Sequence, residues 1–168
     1  IIAGTRPEVI KMAPVIHKIK EYPNHFKLTV VATAQHRQML DQAFTQFKIK
    51  PDIDMDLMRA NQDLNTLTCR ILEEMEIALR KDSPDIVLVH GDTTTAFAGA
   101  LASFYKKIPV AHVESGLRSY DIYNPFPEEI NRKLTTAISA INFAPTSLAK
   151  DVLLREGVPA EKIVITGN

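Results

Sequence analysis

The 168-residue chain balances 20 Lys and Arg against 20 Asp and Glu, which leaves no net field to draw in nucleic acid or an anionic membrane. A hydrophobic fraction of 45% with 24% charged residues suits one domain large enough to bury its own core. A lone cysteine, Cys69, excludes an intrachain disulfide, no apolar run approaches a membrane span, and the first residues lack a signal-peptide pattern, so a cytoplasmic protein is expected.

Ile1 to Ala3 reads as the tail of a strand, Gly4-Thr5 as a turn, and residues 7–22 as a helix. Pro7 suits the first helical position because its missing N–H would be unpaired there, and Glu8 complements the positive end of the helix dipole. Val9, Met12, Ala13, Ile16 and Ile19 recur at helical spacing and give this helix a buried face, with a kink expected at Pro14. A strand, a glycine turn and a helix N-terminus suit an anionic group, and Arg6 and Lys11 add a guanidinium fork and a mobile ammonium. Two solvated charges at a helix start account for Arg6 and Lys11 equally well. The turn is neither a G-x-G-x-x-G fingerprint nor a P-loop.

Leu28 to Thr33 forms a second expected strand. The polar cluster Gln35, His36, Arg37 and Gln38 follows it, with a solvated helix start as its ordinary reading and a ligand contact as the rarer one. Met39, Leu40, Ala43, Phe44 and Phe47 give the next helix a core stripe. Residues 51–57 alternate like a short edge strand or extended loop, and their three Asp lack the Gly and Glu spacing of a calcium loop. Leu64, Leu67, Ile71, Leu72, Met75 and Leu79 mark a long amphipathic helix, within which Cys69 reads as a small core residue.

The stretch from Pro84 to Arg132 concentrates the unusual polar residues. Residues 86–89 are a short β-branched run between Pro84 and Gly91-Asp92, the pattern of a buried parallel strand, and Thr93-Thr94-Thr95 can cap a helix over residues 96–105. Residues 110–113 form another buried strand that delivers Glu114. Ligands of open α/β sheets lie outside the carboxyl ends of the strands, so Asp92 and Glu114 should face one crevice. Pro125-Phe126-Pro127 then introduces a helix with Glu128 and Glu129 in its first turn, where capping would account for one of the two.

Residues 142–144 and 163–166 read as further strands around a helix that Gly157 ends. About seven strands alternating with helices argue an α/β fold, a doubly wound parallel sheet of Rossmann-like type. Both ends look cut, so a fragment is expected.

The carboxyl edge of such a sheet would gather Arg6, Lys11, His90, Asp92, His112, Glu114, Arg118, Glu128 and Glu129. That mix of anion binders with acids and bases fits proton transfer on a phosphorylated or nucleotide-linked substrate. A hydrogen-bonded core residue is the ordinary reading of either histidine, and no H-E-x-x-H motif or Cys cluster favours zinc.

The segments GTRPEVIKMAP, TAQHRQMLDQ, PDIVLVHGDTTTAFAGALASFY, IPVAHVESGLRS, NPFPEEINRKLT, FAPT and ITGN occur in this order. With them the chain resembles the non-hydrolysing UDP-N-acetylglucosamine 2-epimerases along essentially its whole length. The resemblance implies the amino-terminal half of a GT-B arrangement, with a carboxyl-terminal UDP-binding domain absent from this chain and little activity without it. It implies interconversion of UDP-GlcNAc and UDP-ManNAc by elimination and re-addition of UDP through a 2-acetamidoglucal, with no metal or nicotinamide cofactor.

By motif position, Asp92, Glu114 and Glu128 match the family's catalytic carboxylates, and Arg6 and Lys11 match substrate-contacting positions. Gln35, Gln38 and Gln62 match an allosteric substrate site, beside which Asn61 stands where some relatives have Arg. A cytoplasmic homodimer serving cell-surface polysaccharide synthesis is also implied. The rival classes are a non-catalytic sugar-nucleotide binding module and half of a GT-B glycosyltransferase; a transferase needs an acceptor and an epimerase does not.

Overall fold

A computed structural model of the chain describes residues 1–33, 37–57, 59 and 62–168. Strand β1 (Ile2–Ala3) leads into helix α1 (Arg6–Lys20), β2 (Val31–Ala32) into α2 (Arg37–Gln46), and β3 (Ile53–Asp54) into α3 (Leu64–Asp82). The chain continues through β4 (Val87–His90), α4 (Thr94–Tyr105), β5 (Val110–Val113), α5 (Glu128–Ile138), β6 (Ile141–Ala144), α6 (Ser147–Arg155) and β7 (Ile163–Ile165).

All named ladders are parallel, in sheets ordered β1-β2-β3 and β4-β5-β6-β7. Strand β1 packs alongside β4, so in space the strands run β3-β2-β1-β4-β5-β6-β7. The winding therefore reverses between β1 and β4, the topological switch point at which open α/β sheets bind ligands. This is the doubly wound, Rossmann-like arrangement expected from the alternation of elements.

The two faces of the sheet follow from side-chain alternation along each strand. Ile2, Val31, Val87 and Val89 join the core beneath α3 and α4, whereas Ala3, Ala32 and Leu88 join the core beneath α1 and α2. Ala96, Ala98, Ala100 and Ala102 are small enough to let α4 lie close against the strands. Thr93, Asp63 and Thr146 cap α4, α3 and α6 by accepting a backbone N–H, each such cap contributing about 1 kcal/mol.

Two local expectations change. Cys69 is exposed, not buried: Leu67, Ile71, Met75 and Leu79 set the inner face of α3, and Cys69, two residues from Leu67 and Ile71, lies about 200° around the helix from each. Met39 of the expected α2 stripe is 48% exposed, while Leu40, Ala43 and Phe44 are buried. Helix α1 runs through Pro14 without a break, the ring facing solvent. Among the described residues no helix is long and apolar enough to cross a membrane. Nor does any group of three His, Cys, Asp or Glu come together as a metal site among them.

Candidate active site

The turns that follow β1, β4 and β5 meet at the switch point. After β4, Gly91 adopts φ 68°, a left-handed conformation that a side chain resists. Its carbonyl oxygen accepts the Nε2–H of His112 at 2.7 Å, which fixes the tautomer of that ring. His112 is fully buried, and burial lowers its pKa to about 4. It is thus a neutral group beneath the turn, in line with its ordinary core reading.

The turn delivers Asp92. The guanidinium of Arg132 meets the Asp92 carboxylate at 2.6 Å, and the side-chain amide of Asn131 donates to the Asp92 carbonyl at 2.9 Å. Both partners come from α5. Neither stands out in the sequence, although Arg132 follows Glu128 by four residues and so shares its helix face.

Glu114 leaves β5 with φ 64°, a strained backbone for a residue with a side chain and one concentrated at functional positions. Lys11, one turn into α1, pairs with the Glu114 carboxylate, and the Nε2 of His90 lies 3.7 Å from the same oxygen. Burial lowers the pKa of His90, outweighing the opposite pull of Glu114, so His90 is held neutral.

Arg6 opens α1, is exposed, and makes no ion pair among the described residues. An unpaired guanidinium at a helix N-terminus, beside two carboxylate-bearing turns, can take an anion. The structure therefore brings Lys11 to Glu114, with His90 facing the same carboxylate, while Arg6 opens the helix that carries Lys11 and Asp92 follows the strand beside β5. Glu128 is the first residue of α5, half-buried, and takes no hydrogen bond among the described residues.

The other two members of the expected set have structural employment. Glu129 is fully buried and accepts the N–H groups of Ser119 at 2.9 Å and Tyr120 at 3.1 Å, with Arg132 at 3.2 Å. Burial alone would raise its pKa, but these donors prevail and hold the carboxyl below its usual range. Arg118 is no anion binder: its buried guanidinium clasps Glu156 at 2.9 and 2.7 Å and also meets Thr136, tying its loop to the end of α6.

Of the residues matched to a second substrate site, Gln38 is exposed near the start of α2. Gln62 precedes the cap of α3, and its Oε1 is buried without a hydrogen bond among the described residues. Gln35 and Asn61, with His36, lie outside the described residues.

The family model described as UDP-N-acetylglucosamine 2-epimerase matches residues 17–168. The UDP-N-acetylglucosamine 2-epimerase of Salmonella typhimurium is 53% identical over 167 residues, covering 99% of this chain and 44% of that protein. The Bacillus subtilis protein of the same name is likewise 53% identical with the same coverage, 99% and 44%. This chain thus spans less than half the length of these curated relatives.

Among solved structures, the Neisseria meningitidis UDP-GlcNAc 2-epimerase bound to UDP-GlcNAc superposes with a TM-score of 0.96 at 51% identity, over 99% of this chain and 45% of that one. The Methanocaldococcus jannaschii enzyme in complex with UDP-GlcNAc and UDP gives a TM-score of 0.93 at 41% identity, with coverage of 99% and 45%. A likeness sustained at this level through every strand and helix that forms the switch point is one of descent, and the chain belongs to the UDP-N-acetylglucosamine 2-epimerase family.

Proposed function

We propose that this chain is the amino-terminal domain of a two-domain, GT-B, non-hydrolysing epimerase that interconverts UDP-GlcNAc and UDP-ManNAc. The observation that carries the reading is the meeting of Asp92 and Glu114, each at a strand end, with Arg6 unpaired at the start of α1. Relatives named for this activity, and neighbours solved with UDP-GlcNAc and UDP, support it.

In this reading one carboxylate of the set Asp92, Glu114 and Glu128 takes the C2 proton. The bond from C1 to the diphosphate oxygen breaks, a C1–C2 double bond forms, and the departing UDP is stabilised by Arg6 and Lys11. Re-addition of UDP at C1 and of a proton to the other face of C2 completes the inversion, with no net oxidation and no cofactor. The second domain supplies the remaining UDP contacts, so the 168-residue chain alone binds weakly and turns over little. Gln35, Gln38 and Gln62 belong to a second, regulatory substrate site. The whole enzyme is a cytoplasmic homodimer.

An epimerase equilibrates its sugar nucleotide without an acceptor. Proton NMR of UDP-GlcNAc incubated with a protein carrying both domains should therefore show UDP-ManNAc accumulating to a constant ratio. UDP-GlcNAc that persists until an acceptor sugar is added would instead indicate a transferase.

A further inference from the structure

A chain of hydrogen bonds crosses the switch point beneath the crevice. Glu8 is buried at the third position of α1, with no cation paired to it among the described residues. Its Oε2 accepts the N–H groups of Gly4 at 2.9 Å and Thr5 at 2.7 Å, and its Oε1 accepts the hydroxyl of Thr93 at 2.8 Å. The Thr93 oxygen in turn accepts the N–H of Ala96 at 3.0 Å and so caps α4.

Reaching back to Thr5 is ordinary conduct for a glutamate at this helix position. The bond from Thr93, a residue 85 positions away, is not. Helix capping explains half of this carboxylate and leaves the other half bound to a different element. Burial pushes the Glu8 carboxyl above its ordinary range, and the donors from Gly4, Thr93 and Thr5 at the positive ends of two helices pull the other way.

The two turns are also pressed together. A Cβ at Gly4 would stand 2.8 Å from the Cβ of Thr95, at the start of α4. One turn runs directly into Arg6 and the other runs out of Asp92.

We infer that Glu8 is a positioning residue, locking the turn that delivers Arg6 to the turn that delivers Asp92 so that the anion-holding cation and a proton-transfer carboxylate keep a fixed spacing. The inference rests on the reading that Arg6 and Asp92 serve one substrate. Glu8 touches no substrate; it acts through the two backbones.

The test is amide NMR on the ¹⁵N-labelled 168-residue chain, with Thr93→Val and Thr93→Ser variants and inorganic pyrophosphate as the probe. Without ligand, Thr93→Val should shift the Gly4 and Thr5 amides and Thr93→Ser should return them. Unmoved amides in a folded Thr93→Val protein would overturn the inference. In the wild-type chain, pyrophosphate should move the amides of Thr5, Arg6, Asp92 and Thr93 with one common Kd. Thr93→Val should cut the response at Asp92 at least threefold, and Thr93→Ser should restore it.

A wild-type response confined to Thr5 and Arg6 overturns the coupling without help from any variant. No binding of pyrophosphate at all would sink the diphosphate role of Arg6, and the ligand-free shifts would still decide the role of Glu8.

Discussion

Arg132 on α5 stands 2.6 Å from the carboxylate of Asp92 at the end of β4. The same guanidinium lies 3.2 Å from Glu129, so a fully buried carboxylate on one helix aims the cation that aims Asp92. Asp92→Asn, in a protein carrying both domains, is expected to lower kcat by about 10²–10⁴-fold, the range for loss of a proton-transfer group, with the melting temperature retained. Arg132→Gln should lower kcat by a smaller factor. Steady-state kinetics beside a thermal melt checks both.

Glu129 gives a stability prediction in place of a catalytic one. Glu129→Ala strands the N–H groups of Ser119 and Tyr120 and removes a partner of Arg132, which should cost about 2–3 kcal/mol in urea unfolding. Its folded pKa lies below the unfolded value, so its contribution is present above the ordinary carboxylate range and is lost as pH falls through the folded pKa.

His112 sets a second acid-sensitive step at higher pH. Its folded pKa of about 4 lies below the unfolded 6.5, so the neutral ring's contribution is complete above pH 6.5 and declines as pH falls toward 4. The full loss is about 3 kcal/mol. Thermal melts should therefore drop between pH 6.5 and 4.5 in the wild type. His112→Gln, which cannot titrate, should show a flatter profile over that interval.

Helix α3 offers a paired test of which face is inside. Ile71→Ala, at a fully buried position, should cost about 2–5 kcal/mol, while Cys69→Ser on the exposed face should stay within about 0.5 kcal/mol. Equal effects from the two would contradict the placement of the helix.

Most of the architecture was legible because β-branched runs and helical spacing are local signals. The strand Val110–Val113 and the helix beginning at Glu128 fall where apolar runs and turn residues place them. What remained hidden was long-range. Nothing in the sequence distinguishes Glu8 as a carboxylate bonded to Thr93, or Arg118 as the partner of Glu156, because each pairing depends on which turns the switch point brings together. Local pattern alone does not separate the neighbours Glu128 and Glu129, and helix rotation buries Glu129 fully while leaving Glu128 half-buried. For Cys69 the residue type favours burial while its phase on α3 opposes it.

In the proposed reaction this domain's carboxylates exchange a proton at C2 of a UDP-linked sugar. The most direct measurement incubates UDP-GlcNAc in deuterated water with a protein carrying both domains and follows C2 by NMR. Deuterium should enter at C2 of both UDP-GlcNAc and UDP-ManNAc, and Asp92→Asn should slow it sharply. UDP-ManNAc formed without deuterium, or no exchange and no UDP-ManNAc, would contradict the account.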